Sequence, residues 1–302
     1  MKAFVLAPNE DWIVDRFVKE WYVDNSDIST KNIQEADVIW LMADWCFNQV
    51  PLALLQKKKV LTTVHHIVPE KFNINEFNMK DSFTDAYHVP NEITARQVSF
   101  HTKKPVHVIP YWANQRIFKI DSQSKQDLRA KHNLPLDSFL IGSFQRDTEG
   151  HDLKSPKLEK GPDLLADFAI KKHVEWKQHN GPHEPHVVLG GWRRQYVINR
   201  LTDADMPFTY FERPSHDVIN ELYQTLDLYP FTSRCEGGPQ SLIECGLLGI
   251  PVVSRQVGMA SAVLPSSAIS DDVSAAAPTI PNVDNLKLPL GYKAYRDLIE
   301  CM

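Results

Sequence analysis

The sequence predicts an α/β protein with two doubly wound parallel sheets, and three observations carry that expectation. Short apolar runs alternate with helical stretches along most of the chain, the pattern of strands covered by helices on both faces. A stretch from Trp112 to Asp137, polar in its middle, interrupts the alternation and divides it into two blocks. Polar clusters then follow the strands of the second block at their carboxyl ends, where open parallel sheets bind ligands. A chain of 302 residues, 43% hydrophobic and 24% charged, can bury a good core and favours two domains over one.

In the first block, Lys2–Leu6 reads as a buried strand and Trp12–Val23 as a helix with Trp12, Phe17 and Trp21 among its apolar positions. Val38–Met42 is the next strand, Phe47–Gln56 a helix and Val60–Val64 a third strand, with Asp85–Val89 and Val106–Ile109 completing about five. The first domain is expected over residues 1–112. The connecting stretch holds a short helix around Gln126–Lys131. Strands of the second block are Phe139–Gly142, Val187–Gly190, Phe208–Phe211, Asp227–Phe231 and Pro251–Ser254. Helices near Pro162–Lys177, Arg193–Leu201, His216–Leu226 and Pro239–Leu248 separate them. This gives a second domain over residues 113–288 and, over 289–302, a C-terminal segment containing the helix Tyr292–Ile299.

Bulk composition excludes several classes. A net charge of −5 leaves nothing to offset repulsion from phosphates along a nucleic acid. Cys46, Cys235, Cys245 and Cys301 show no CxxC spacing, as expected of reduced thiols in a cytoplasmic protein without a zinc site or disulfide framework. The N-terminal apolar run is too short for a signal peptide, and nothing approaches a membrane span. Lys57–Lys59 suggests membrane association that is peripheral at most, a cationic run at a helix C-terminus being mainly dipole-favoured and solvated.

The stretch Arg234–Cys245, RCEGGPQSLIEC, sets Glu236 and Glu244 eight positions apart around a Gly-Gly-Pro turn. Gly237 and Gly238 let the backbone approach a ligand, and Pro239 suits the first helical position, where its missing N–H costs nothing. The N–H groups of Gln240 and Ser241 would then present the positive end of a helix dipole to a phosphate. Glu236 stays in the loop and Glu244 lies about one and a half turns into the helix. Because a carboxylate repels phosphate, each is expected to accept hydrogen bonds from hydroxyls instead. A nucleotide sugar has hydroxyls on both sides of its diphosphate. The competing reading is an ordinary turn before a half-buried helix.

Three segments, in order, resemble the retaining glycosyltransferases of family 4. LIGSFQRDTEG…KLEKGPDLL is similar to the family's strand, Gly-x-x-Arg turn and Lys-Gly pair, through Gly142, Arg146, Lys160 and Gly161, although three residues rather than two separate Gly142 from Arg146. LDLYPFTSRCEGGPQSLIECGLLGIPVVSRQVG resembles the E-x7-E segment, and VHVIPYWANQRIFKI the hinge. The likeness covers Val106 to Met259 well and the first hundred residues loosely. It implies a GT-B fold, with two Rossmann-like domains facing across a cleft and the C-terminal helix crossing back to the first.

The resemblance also implies roles. Arg146 and Lys160 match the diphosphate-binding pair, one a bidentate fork and the other a point charge. Thr148–Glu159 looks like an insertion whose Lys154 or Lys157 could replace Lys160. Glu236 would meet the donor sugar, helped by the Gly237–Gly238 turn, and Glu244 the ribose. Arg213 matches the region that binds the nucleobase, although main chain often serves there. In LTTVHHIVPEKF, His65 matches the histidine that approaches the donor sugar, while His66 stands where the family often has an aspartate; satisfied strand-end histidines are the alternative. Two departures stand out: the first strand leads into LAPNEDWIVDRF without glycine, and the first domain is short.

The function implied is transfer of a hexose-type sugar from a UDP- or GDP-linked donor to a hydroxyl acceptor with retention, the acceptor being a glycan, a lipid-linked or a small molecule. No cofactor and no metal is expected if the cations and a helix N-terminus neutralise the diphosphate. The alternatives are a nucleotide-sugar-binding protein without transfer activity and, less consistent with the chain, a dinucleotide-dependent oxidoreductase, since no strand precedes GxGxxG. His179, His183 and His186 in HNGPHEPH are too irregularly spaced for a metal site. Trp45, Trp112 and Trp192 beside loops are candidates for stacking on a sugar, against the alternative of core or rim packing.

Overall fold

Two sets of buried strands organise the chain into two compact units, Met1–Trp112 with Leu286–Met302, and Ala113–Asn285. The computed structural model describes residues 1–10, 13–149 and 153–302. Trp12 and the tip of the proposed insertion therefore lie outside the described residues.

The first unit contains β1 (Ala3–Leu6), α1 (Ile13–Asp24), β2 (Val38–Leu41), α2 (Leu52–Leu55), β3 (Lys59–Thr63), α3 (Ile74–Asp81), β4 (Ala86–Val89), α4 (Glu92–His101) and β5 (Val106–Val108). Its five strands form one parallel sheet in the order β1-β2-β3-β4-β5. An isolated parallel bridge from Ala3 to Ser29 uses the other edge of β1, so the chain winds away from β1 in both directions. One sheet face packs Ile39, Leu41 and Val60 with Phe47, Val50 and Leu55. Farther along, Val64, Tyr87 and Val89 pack with Phe77, Ala95 and Val98.

The expected helix Phe47–Gln56 is not continuous: a 3-10 turn, Asp44–Gln49, precedes α2. Pro51 is the reason, since its ring disfavours a helical residue before it and Val50 is extended at φ −109° and ψ 130°. α3 and α4 escaped the sequence reading because their apolar periodicity is weak. Their signals are caps: Asn73 accepts from the N–H of Asn75 and Glu76, and Asn91 from Thr94. Lys57–Lys59 is partly structural, with Lys58 Nζ donating to the carbonyls of Gln34 and Ala36.

The other sheet face carries polar groups that are satisfied internally. Trp40 Nε1 donates to Thr63 Oγ1 at 2.9 Å. His88 Nε2 lies 2.8 Å from the Ile109 carbonyl and must donate to it, so Nδ1 is left to accept from the Thr63 hydroxyl at 3.0 Å. A C-terminal helix, Lys293–Cys301, closes this face. Tyr295 stacks on Trp40 at 5.4 Å, and its hydroxyl points at the carbonyls of Ile109 and Pro110. Arg296 forms a two-pronged pair with Asp27.

The second unit contains α5 (Lys125–Lys131), β6 (Phe139–Phe144), α6 (Pro162–His179), β7 (Pro185–Gly191), α7 (Gln195–Asp203), β8 (Phe208–Glu212), α8 (His216–Thr225), β9 (Tyr229–Phe231), α9 (Gln240–Leu248), β10 (Val252–Ser254) and α10 (Ala260–Val263). β6, β7 and β8 pair in parallel in that order, as do β9 and β10. A parallel bridge, Ile141 to Leu228, joins β6 to the entry of β9. The combined order is β8-β7-β6-β9-β10, which reverses between β6 and β9. The short helix of the connecting stretch is firmly seated: buried Arg129 on α5 donates to the carbonyls of Thr225, Leu136 and Ser138 and to Asp227.

Tyr295 is fully buried, so Tyr295→Ala is expected to lower the unfolding free energy by about 3–5 kcal/mol, measured by urea denaturation. Tyr295→Phe, which keeps the packing and loses the hydroxyl bond, is expected to cost about 1 kcal/mol.

Candidate functional site

The strand order reverses between β6 and β9, and the carboxyl ends beside such a reversal are the position at which doubly wound sheets take ligands. The turns after β6 and β9 carry most of the residues singled out in the sequence.

Lys160 and Glu236, 76 positions apart, are brought into direct contact. Lys160 Nζ lies 2.5 Å from Glu236 Oε1, which also accepts from Ser233 Oγ at 3.0 Å. Both of these bonds fall on Oε1, and Oε2 accepts none among the described residues. Local backbone geometry explains the meeting. Leu158–Lys160 is a 3-10 turn ended by Gly161 in the left-handed region at φ 61°, with Pro162 opening α6. A Cβ on Gly161 would lie 2.0 Å from the Thr232 carbonyl oxygen, so only glycine allows this approach. Hydrogen bonds zip the two turns together: Thr232 Oγ1 donates to the Gly161 carbonyl, and the N–H groups of Arg234 and Cys235 donate to the Glu159 carbonyl. Arg234 continues the contact as a bidentate pair with Asp163 at 2.7 and 2.6 Å.

The Gly237–Gly238 turn leads into α9 as expected, with one correction: Pro239 is the extended cap at φ −61° and ψ 116°, and the helix begins at Gln240. Pro239 gives no side-chain cap, which leaves the first-turn N–H groups of Gln240 and Ser241 at the positive end of the helix. Gly258 closes the far side, where a Cβ would lie 2.6 Å from the Gly237 carbonyl. Glu244 is nearly buried on α9, and its Oε2 accepts the Tyr223 hydroxyl at 2.8 Å. The sequence offered no signal for Tyr223, an apolar-face residue of α8.

Arg146 is exposed on the turn after β6, with no side-chain hydrogen bond or ion pair among the described residues. Its neighbour Asp147 is fully buried against Arg194, with Nε and Oδ2 2.8 Å apart, while the Arg194 guanidinium also binds the carbonyl of Gly190 and both oxygens of Ser143. Burial raises the Asp147 carboxyl above its ordinary range even though the Arg194 charge pulls it down. This pair fixes the turn that presents Arg146. Arg194 falls at the start of the helix expected near Arg193–Leu201, and its burial has no local signal in the sequence. Beyond Asp147, Thr148 bridges Pro156 and the Lys157 N–H donates to the Asp147 carbonyl. Lys154 is exposed and Lys157 half-buried.

Arg213 sits at φ 45° in the turn after β8 and lies over the Trp192 ring at 4.3 Å; Arg193 lies over the same ring at 4.0 Å. In the first unit, His65 uses both ring nitrogens within the fold. Nε2 donates to the Met42 carbonyl at 2.9 Å, so Nδ1 accepts the Tyr111 hydroxyl. Burial, with smaller contributions from His66 and His88, drives its pKa down to about 3, so the ring is neutral. His66 is half-buried beside it. His183 and His186 bond to the Asp137 carbonyl and to Thr209, and no group of three or more possible metal ligands occurs among the described residues. Trp112 is core, donating to Glu20 at 2.6 Å, and Trp45 packs on His65.

Gly161→Ala combines a left-handed backbone with the Thr232 contact and is expected to destabilise the protein by at least about 1–3 kcal/mol in urea denaturation. A second expectation concerns pH. His65, His88 and His186 are depressed, chiefly by burial, from 6.5 to about 3, 4 and 4. The unfolded chain takes up protons below 6.5 that the folded chain refuses. Their contribution to stability is therefore complete above that pH and lost progressively as pH falls toward the folded values. Urea midpoints are expected to be lower at pH 5 than at pH 7.5, with a shallower dependence in His88→Gln.

No protein-family model and no curated protein matches the chain. Solved structures do. HepE of Anabaena in complex with UDP-glucose aligns over 91% of this chain and 87% of its own, with a TM-score of 0.69 at 14% identity. Sucrose-phosphate synthase from Thermosynechococcus elongatus aligns over 94% and 67%, at 0.60 and 16%. The lipopolysaccharide outer core galactosyltransferase WaaB aligns over 95% and 79%, at 0.60 and 12%. No helix among the described residues is long and apolar enough to cross a membrane. The structural neighbours are GT-B glycosyltransferases, and the chain has the GT-B fold of two Rossmann-like domains.

Proposed function

We propose that the chain is a retaining glycosyltransferase of the family 4 type, moving a hexose-type sugar from a UDP- or GDP-linked donor to a hydroxyl acceptor. The observation that carries the reading is the convergence of Lys160, Glu236, the Gly237–Gly238 turn and the start of α9 at the strand-order reversal of the second unit. The UDP-glucose bound by HepE is consistent with it.

Departure of a nucleoside diphosphate places new negative charge on the bridging phosphate oxygen and positive charge on the sugar ring. Lys160, Arg146 and the first-turn N–H groups of α9 stabilise the diphosphate, more so as bond breaking proceeds. The resident Lys160–Glu236 bond neutralises both groups before the donor arrives. With phosphate in place, Lys160 gains a stronger acceptor, and Glu236 turns toward a sugar hydroxyl. Glu244, held by Tyr223, accepts from the ribose, and Arg213 beside Trp192 meets the base. The departing phosphate takes the acceptor proton on the same face, which gives retention, and neither metal nor cofactor is needed. His65 acts by donating its ring N–H only if it leaves the Met42 carbonyl; that commitment favours the second reading, a nucleotide-sugar-binding protein without transfer.

Incubation with UDP-glucose, UDP-galactose, UDP-N-acetylglucosamine and GDP-mannose against a broad acceptor panel, followed by nucleotide release and proton NMR of the anomeric centre, separates the readings. Transfer with an α product from an α donor is expected, with kcat/KM about 100-fold lower in Lys160→Ala. An inverted product contradicts retention, and tight donor binding without turnover supports the binding protein.

A further inference from the structure

Two arginines and a tryptophan stand together at the carboxyl ends of β7 and β8. Arg193 Cζ lies 4.0 Å from the centroid of the Trp192 ring, and Arg213 Cζ lies 4.3 Å from the same centroid. Main chain ties the two turns: the Arg213 N–H and the Tyr210 hydroxyl both donate to the Gly191 carbonyl at 3.1 Å. Arg193 and Arg213 are both left-handed, at φ 57° and 45°, a strained conformation for a residue with a Cβ that persists only where its surroundings hold it. Neither guanidinium makes a hydrogen bond or ion pair among the described residues, and Arg193 Nε is buried without a partner. Arg194 beside them differs, its guanidinium bound to Asp147, Gly190 and Ser143. Trp192 thus fixes two cations without using their N–H groups. In the strand order β8-β7-β6 these turns lie one and two strands from the turn that carries Arg146, about 5 and 10 Å away at the usual strand spacing.

We propose that Arg213, held on Trp192 with Arg193 beside it, selects guanine, so that the donor is a GDP-sugar rather than a UDP-sugar. A guanidinium edge presents parallel N–H donors and no acceptor, so it matches two acceptors side by side. Guanine offers such a pair, N7 and O6. Adenine sets an amino donor beside N7, and uracil separates its two carbonyl oxygens with the N3–H donor, so either base satisfies only half of the fork. Arg213 is exposed and Arg193 half-buried, so Arg213 supplies the fork and Arg193 packs on the ring and adds charge. Guanine selection presupposes the donor reading and goes beyond it by choosing the base.

Isothermal titration of GDP, IDP, UDP and ADP into the full chain tests this, with the wild type beside Arg213→Lys and Lys160→Ala. IDP keeps O6 and N7 but lacks the amino group of guanine. GDP and IDP are expected to bind the wild type about tenfold or more tighter than UDP and ADP, within the range of one bidentate base contact. Arg213→Lys keeps the charge and loses the fork, and its GDP-to-UDP affinity ratio is expected to fall to about one. An unchanged urea midpoint reports that this variant is folded, and the wild-type base preference is read without it. UDP or ADP binding as tightly as GDP, IDP binding as weakly as ADP, or an unchanged ratio in Arg213→Lys overturns guanine selection. Where UDP matches GDP and Lys160→Ala weakens both, the base assignment falls and the donor reading stands; no binding by any of the four removes both.

Discussion

The approach of Gly161 to the Thr232 carbonyl is the contact on which the candidate donor site depends. It is a backbone contact, closed to any residue with a Cβ, and it draws the turn opening α6 against the loop that follows β9. Once those two segments are zipped, Lys160 and Glu236 meet without long-range steering, and the Gly237–Gly238 turn has a fixed platform. The same logic applies on the far side, where Gly258 abuts the Gly237 carbonyl. Glycine at these positions costs backbone entropy in the unfolded chain and supplies a close approach that no other residue allows.

Buried polar groups elsewhere hold the strand ends in register. Arg194 and Asp147 form a fully desolvated pair whose value lies in placing a turn rather than in net stability, because desolvation offsets much of the attraction. The Trp40–Thr63–His88 chain in the first unit is neutral and directional, each donor aimed at one acceptor. His65 belongs to the same class of satisfied imidazoles, its two nitrogens committed to Met42 and Tyr111. A histidine at a strand end thus has a complete structural explanation here, whatever it contributes to chemistry.

Much of this was legible in the sequence for a simple reason: strands covered on both faces leave continuous apolar runs, and Val38–Leu41 and Pro185–Gly191 stand out as such. The start of α9 after Gly-Gly-Pro was readable from turn chemistry to within one residue. α3 and α4 were not, because their polar faces are wide and their ends are marked by single asparagines. Pro51 divides the Phe47–Gln56 stretch, although the apolar content on both sides of it reads as one helix. Pairings across long separations had no local signature at all. Lys160 with Glu236, Tyr223 with Glu244 and Asp147 with Arg194 depend on which strands become neighbours, which one-dimensional periodicity does not encode.

The central claim is that the second unit binds a nucleoside diphosphate beside the Lys160–Glu236 pair. Isothermal titration of UDP and GDP into the wild type and into Lys160→Ala tests it most directly. The account predicts saturable 1:1 binding of at least one of the two, weakened tenfold or more by the substitution, a loss of about 1.4 kcal/mol or more. No binding of either nucleotide, or equal affinity in both proteins, would contradict it.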